Sequence, residues 1–174
     1  MPSSASAGHD ADASRPAAFA AFAQLALTSV HHAYGALIYA SPWRLEVVVM
    51  SIAAAALIAG LWLLARRRPG SFSGRLAFVG NMVVIVAFPI LAIGLFEGGY
   101  NHVVKNIVHL AGNPTLYAQM FPASMYEAPG DWLFELTGIA QFPMALLALW
   151  LVAIAVAGRS PGSQVVAAKR SSKA

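Results

Sequence analysis

Four long apolar stretches, separated by short polar segments, set the pattern of this chain. They run approximately over residues 17–40, 45–65, 76–96 and 132–157. Each is close to the roughly 20 residues that a bilayer-spanning helix requires. The stretches are continuous runs of Ala, Leu, Val and Ile without the two-residue alternation of barrel strands, and only helices or closed barrels satisfy the backbone in hydrocarbon. The pattern predicts an all-α fold, an integral membrane four-helix transmembrane bundle in one domain, residues 17–158.

Composition and flanking segments fit this prediction. Of the 174 residues, 59% are hydrophobic and 10% are charged, and the mean hydropathy is +0.66, which is too apolar for an ordinary soluble domain. The small, polar flanks predict disordered cytoplasmic tails at residues 1–16 and 159–174, of which the second is basic. Because the chain has no cysteine, disulfides, thiolate metal sites, covalent haem attachment and cysteine catalysis are excluded. Residues 53–56 and Gly60 are small, and we expect them to pack the core.

The positive charges predict the topology. Basic residues cluster in the 66–75 loop and in the 159–174 tail, so both should be cytoplasmic, and an even number of spans puts the N-terminus there too. Nine basic against two acidic groups give the inner side +7, and two basic against five acidic groups give the outer side −3, which together make the +4 of the whole chain. The basic balance is therefore a topology signal and implies no nucleic acid partner. Compactness and the Ala-rich composition favour a multi-pass protein of a bacterial-type inner membrane.

Ionisable side chains gather at one depth of the predicted spans. His31 and His32 lie about ten residues before the turn at Ser41, or roughly 12 to 15 Å below the outer lip. Glu97 closes the third stretch on the same side. Charged groups that face lipid are costly, so these groups predict a polar cavity between helices that opens toward the outer face. Its further predicted members are His102, His109, Asp131, Glu135 and Gln141.

Imidazole and carboxylate groups without thiolates are typical of a site for Fe, Mn, Zn or Cu. The candidate metal ligands are His31, His32, Glu97, His102 and Glu135. Adjacent histidines point about 100° apart on a helix, so we expect only one of His31 and His32 to ligate directly. A haem needs two axial histidines that face each other across the helices, and it is disfavoured because His102 lies too near the surface.

Metal-free acid–base chemistry on a lipid-soluble substrate is an alternative. A carboxyl group in apolar surroundings can exchange protons near neutral pH, which makes Glu97 and Glu135 candidate catalytic residues. A third alternative is a non-enzymatic subunit of a homo- or hetero-oligomer, or a carrier, whose polar cavity conducts a proton, an ion or a small solute. Pro89 and Pro143 would free backbone carbonyl groups for such a cavity.

The runs FEGGY and YEAPGDWLFELTGIAQFPMALLAL carry a faint resemblance to a known family. Together they resemble the emopamil-binding, sterol-isomerase family of four-span proteins, where an acidic loop residue leads into a helix with Glu, Thr and a Pro-Leu pair. The resemblance implies proton handling by Glu97, Asp131 and Glu135. It covers only residues 95–148, requires a shifted order of helices and puts the histidine on the other side of Glu-Gly, so we do not assign the chain to this family.

Several of these residues also have simpler interpretations. Asp131 is placed to cap the fourth helix, and Lys105 to lie at the wet interface. Gly98 and Gly99 are expected to break or tilt the third helix. The segment 100–111 then becomes either a continuation of that helix or an amphipathic helix at the membrane surface.

Overall fold

The computed structural model describes residues 14–158, and the regular structure there is entirely helical, which confirms the all-α prediction. The predicted tail at 159–174, and residues 1–13 of the predicted N-terminal tail, lie outside the described residues. The elements in chain order are α1 (Arg15–Ile38), a 3-10 turn (Pro42–Arg44), α2 (Leu45–Arg67), α3 (Phe72–Ile85), a π-helical segment (Val86–Val104), α4 (Lys105–Leu110), α5 (Pro114–Met120) and α6 (Trp132–Ala157).

Three helical stretches within the described residues are long and apolar enough to cross a membrane. They are Pro42–Arg67, Phe72–Leu110 and Trp132–Ala157, so a membrane helical protein is supported. α1 is not among them, because it carries Gln24, Thr28 and the histidine pair. Its 24 residues give it a length of about 36 Å, enough for a span. A fourth span, and with it the four-helix transmembrane bundle, stays a prediction.

The helices pack around α1. It contacts α2 on one side and α6 on another, while α6 packs along the π segment and α2 packs on α3. The buried small residues that allow close approach are Ala17, Ala18 and Ala21 of α1, with Ala145 and Ala148 of α6. The expectation for α2 holds in part, because Ala54 and Ala55 pack against the core whereas Ala53, Ala56 and Gly60 are exposed. The small residues of α2 are therefore divided between its core side and its exposed side.

The third helix runs unbroken through its glycines. The π segment continues α3 past Gly98 and Gly99 and leads directly into α4, so the helix does not break there. The expected departure of Glu97 and His102 from ideal α-helical geometry is found as π winding. A Cβ at Gly94 would collide with Ala145, and a Cβ at Gly98 would meet the backbone of Phe142. These glycines therefore let the π segment approach α6 closely. Residues 100–104 and α4 continue the same helical stretch, so they do not form a separate surface helix.

Candidate metal centre

Three imidazole nitrogens surround one carboxylate oxygen between α1 and the π segment. The Nε2 atoms of His31, His32 and His102 lie 3.6, 3.8 and 3.5 Å from Oε1 of Glu97. The ligand atoms of His31, Glu97 and His102 all lie within 4.8 Å of one another. Donor atoms on opposite sides of an ion bonded at about 2.1 Å are separated by up to ~4.2 Å, so small side-chain rotations would let this group hold a metal ion.

The π winding brings Glu97 and His102 together. Residues five apart on an α-helix are turned by about 140° from each other, whereas a π-helix joins residues five apart by a backbone hydrogen bond. The Lys105 N–H, for example, reaches back to the Tyr100 carbonyl oxygen. Asn101 donates to Oε2 of Glu97 at 2.6 Å and fixes the carboxylate. The sequence signal that points to this pair is their shared depth, and the winding itself was missed.

Hydrogen bonds on the far side of two imidazoles assign their tautomers. Nδ1 of His31 lies 3.0 Å from the Thr137 hydroxyl oxygen, and that hydroxyl has a carbonyl acceptor of its own, Leu133 O at 2.8 Å. Nδ1 of His31 therefore donates to Thr137. Nδ1 of His102 lies 2.8 Å from Oε2 of Glu135 and donates to that carboxylate. In a neutral ring with Nδ1 so engaged, Nε2 is free to ligate, which is the arrangement of metal-bound histidines whose second nitrogen is held by a supporting group.

The cluster is closed off from water on one side by an aromatic wall. His31, His32 and His102 are at most 4% exposed. The Phe134 ring stacks on His31, with ring centres 4.1 Å apart, and meets His102 edge-on. A cation held here would therefore interact with its ligands in a medium of low dielectric constant, where electrostatic attraction is strong.

Glu135 lies behind His102, outside the inner group. Its Oε2 accepts from His102 and from Asn106 Nδ2 at 2.5 Å, and its Oε1 accepts from Lys105 Nζ at 3.0 Å. The sequence grouped Glu135 with the direct ligands and paired it with Glu97, whereas the His102 ring stands between the two carboxylates. Lys105 is 3% exposed, so its expected interfacial position was wrong, because it pairs with this buried carboxylate.

The other predicted cavity residues lie apart from the cluster. Asp131 caps α6 by accepting from the Phe134 N–H at 2.8 Å, and it also accepts from the Tyr34 hydroxyl at 3.0 Å. His109 is exposed and lies against the Tyr117 ring. Gln141 is fully buried on α6 beside Gly98, and its amide has no hydrogen-bond partner among the described residues.

Sequence reasoning missed several supporting residues. Gly138 leaves room for the His102 ring, since a Cβ there would collide with the imidazole. Arg44 is 5% exposed, pairs with Glu127 at 2.6 Å and lies over the Phe134 ring. The spacing E-x-T-G at 135–138, which places Glu135, Thr137 and Gly138 within one turn of α6, is the sequence signal for this supporting group.

A cavity of about 360 Å³ adjoins the cluster. Its lining includes His32, Glu97 and His102 of the cluster, apolar side chains of α2 and the π segment, and residues 125–127 of the loop before α6. One side of the candidate centre is therefore open to a small molecule, as a catalytic or ligand-binding metal site requires.

Comparisons with protein-family models, with curated proteins and with solved structures give no match for this chain.

Proposed function

We propose that this chain is a multi-pass membrane protein that binds one divalent transition-metal ion between α1 and the π segment. His31, His102 and Glu97 are the proposed ligands, and His32 is the proposed fourth. The observation that carries the proposal is the convergence of the histidine Nε2 atoms on one Glu97 oxygen, with Nδ1 of His31 and His102 engaged elsewhere. Three neutral imidazoles and one carboxylate suit Fe, Mn, Zn or Cu.

Glu135 has a supporting role in this proposal. By accepting from Nδ1 of His102 it orients the ring and makes Nε2 a stronger donor to the metal, and Thr137 does the same for His31. The Lys105 ammonium, 3.0 Å from Oε1, is the cation that pairs with Glu135 in its buried position.

In the proposed topology α1 is a fourth span, both termini are cytoplasmic and the centre lies near the outer face. The burial of its polar residues Gln24, Thr28, His31 and His32 against neighbouring helices supports this role for α1, because these side chains then avoid lipid. The arginines at 66–68 and 75 support an inner position for the α2–α3 turn. A bacterial-type inner membrane is the proposed location.

A second candidate function is metal-free acid–base chemistry. The observation that favours it is the position of His102, whose two nitrogens face Glu97 at 3.5 Å and Glu135 at 2.8 Å. A histidine between two carboxylates is suited to passing a proton from one to the other.

Elemental analysis of the detergent-purified protein tests the proposal. We expect about one metal ion per chain in the parent protein and loss of that ion in His31→Gln, Glu97→Gln and His102→Gln. His109→Gln is the matched control, since His109 is exposed and outside the cluster, and it should keep the metal. Failure of the folded parent protein to bind Fe, Mn, Zn or Cu after incubation with each would refute the metal proposal and favour acid–base chemistry.

A further inference from the structure

The cavity beside the candidate centre has a polar end and an apolar body. Glu97 and His102 line the polar end, while Val47 and Met50 of α2 face Phe96 of the π segment along the apolar walls. Its volume of about 360 Å³ falls in the range of small-molecule sites. The cavity is therefore shaped for a molecule with one polar group and an apolar remainder.

The apolar end of this cavity faces the bilayer. α2 packs on α1 and α3, whereas the π segment packs on α6, and the cavity lies between α2 and the π segment. Met50 and Phe96, which line it, are 49% and 55% exposed. Both belong to helical stretches that are apolar enough to span a membrane. A ligand would therefore enter sideways from hydrocarbon.

The charges around the polar end favour an anionic group once a metal is bound. Arg44 and Lys105 supply two positive charges, and Glu97, Glu127 and Glu135 supply three negative charges, so the protein groups sum to −1. A divalent ion with neutral histidines changes this sum to +1. Opposite charges attract strongly in a buried site, so a single negative charge is complementary only to the loaded centre.

Lys105 can also supply a hydrogen bond to such a group. Its ammonium carries three hydrogens, and the described residues accept two of them, through Oε1 of Glu135 at 3.0 Å and the Glu127 carbonyl oxygen at 3.3 Å. Because Lys105 lines the cavity, the third hydrogen is available there.

We propose that this cavity binds a long-chain carboxylic acid whose carboxylate reaches the metal beside Lys105 and whose chain lies between Val47 and Phe96 toward the lipid. The inference rests on the proposed metal centre and names the class of its ligand. Metal and carboxylate should then bind cooperatively, since each supplies charge that the other needs.

Binding of the fluorescent fatty acid cis-parinaric acid tests this inference. The parent protein is placed in phosphatidylcholine nanodiscs and compared in its Zn²⁺-loaded and metal-depleted forms, with the methyl ester of the same acid as the uncharged probe. We expect the loaded protein to bind the acid at least about tenfold more tightly than the depleted protein does, and about tenfold more tightly than it binds the ester.

Two neighbouring substitutions separate the cavity from the metal. Ala92→Trp fills the cavity and should abolish acid binding while Zn²⁺ is retained. Leu91→Trp is the control, because Leu91 is 50% exposed and does not line the cavity, and it should keep both. Suppose the protein binds Zn²⁺ but binds the acid and the ester with equal affinity, or binds the acid equally well with and without Zn²⁺. Either result would overturn the cavity inference alone. A folded protein that binds no metal would overturn this inference together with the proposed function.

Discussion

Two buried histidines have a hydrogen-bond acceptor on the ring nitrogen that faces away from Glu97. For His31 it is the Thr137 hydroxyl, and for His102 it is the Glu135 carboxylate. Such acceptors orient the ring of a metal-bound histidine. Each of these two supporting contacts can be removed separately to test the proposed metal site.

Thr137→Val removes the acceptor for His31 and keeps the shape of the side chain. We expect metal affinity to fall by about 10- to 100-fold, as is typical when a supporting partner of a ligand is lost, with little change in folding. Competition with a chelator measures the affinity. Thr28→Val is the matched control, because the Thr28 hydroxyl is buried without a partner among the described residues. Equal affinities of the two variants would contradict the assigned role of Thr137.

Lys105→Met leaves the buried carboxylate of Glu135 without its cation. Loss of one member of a buried pair costs about 3–5 kcal/mol in the free energy of unfolding, so the variant should be clearly less stable in detergent. The double variant Lys105→Met/Glu135→Gln should recover most of that stability, yet keep a weakened metal site because His102 has lost its carboxylate partner. Independent, additive effects of the two substitutions on unfolding would argue against a direct interaction.

The π winding of residues 86–104 decides which side chains share a face. It brings Glu97 and His102 to one side and carries Lys105 and Asn106 toward Glu135. π-helical turns are rare and frequently occur at functional sites, and this one coincides with the candidate centre. The helix therefore contributes to the site through its winding as well as through its residues.

Gly138 of α6 provides the space for the His102 ring, so Gly138→Ala should displace that ring. We expect metal affinity to fall by about tenfold or more, because small misplacements of a ligand are costly at a preorganised site. Gly60→Ala of α2 is the control, since a Cβ there meets nothing within 4 Å. It should leave metal binding unchanged and be neutral or slightly stabilising, given the higher helix propensity of alanine. Unchanged metal affinity in Gly138→Ala would show that the ring position is unimportant.

The sequence was sufficient to predict the helices and to group His31, Glu97 and His102 in one cluster. It placed His102 too near the surface to face the histidines of α1, which was wrong, because the rings of His31 and His102 lie 4.8 Å apart. It could not predict which face of α2 is buried, because lipid-facing and core-facing positions of a membrane helix are both apolar, so residues 53–56 gave no periodic signal. The π winding that brings Glu97 and His102 to one side could not be predicted either, because glycines at 98 and 99 are equally typical of a helix break. The position of Glu135 behind His102 depends on tertiary packing alone.

In the proposed topology, the basic cluster at the end of α2 and the candidate metal centre lie at opposite ends of the helices. His31 lies seven residues before the outer end of α1 at Ile38, or about 10 Å from it. Arg66, Arg67 and Arg68, in the last turn and at the C-terminal cap of α2, lie at the other end. The candidate centre should therefore be reached from the outer half, while the inner end is fixed by basic residues at the lipid surface.

Because the chain has no cysteine, single cysteines can report this topology directly. Ser73→Cys and Thr115→Cys place exposed thiols in the first turn of α3 and in α5. In intact cells a membrane-impermeant maleimide should label Thr115→Cys and not Ser73→Cys, and permeabilised cells should show labelling of both. Labelling of Ser73→Cys in intact cells would invert the topology and with it the placement of the centre.

The polar face of α1 also has a consequence for how the protein is made. During synthesis α1 emerges before the three stretches that are apolar enough to cross a membrane unaided. Alone in lipid it would expose Gln24, Thr28 and His31, which are fully buried once α2 and α6 are packed on it. In the proposed four-span topology, stable insertion of α1 should therefore wait until α6 has been synthesised, so the candidate centre and the final topology would be completed in the same late step of biogenesis.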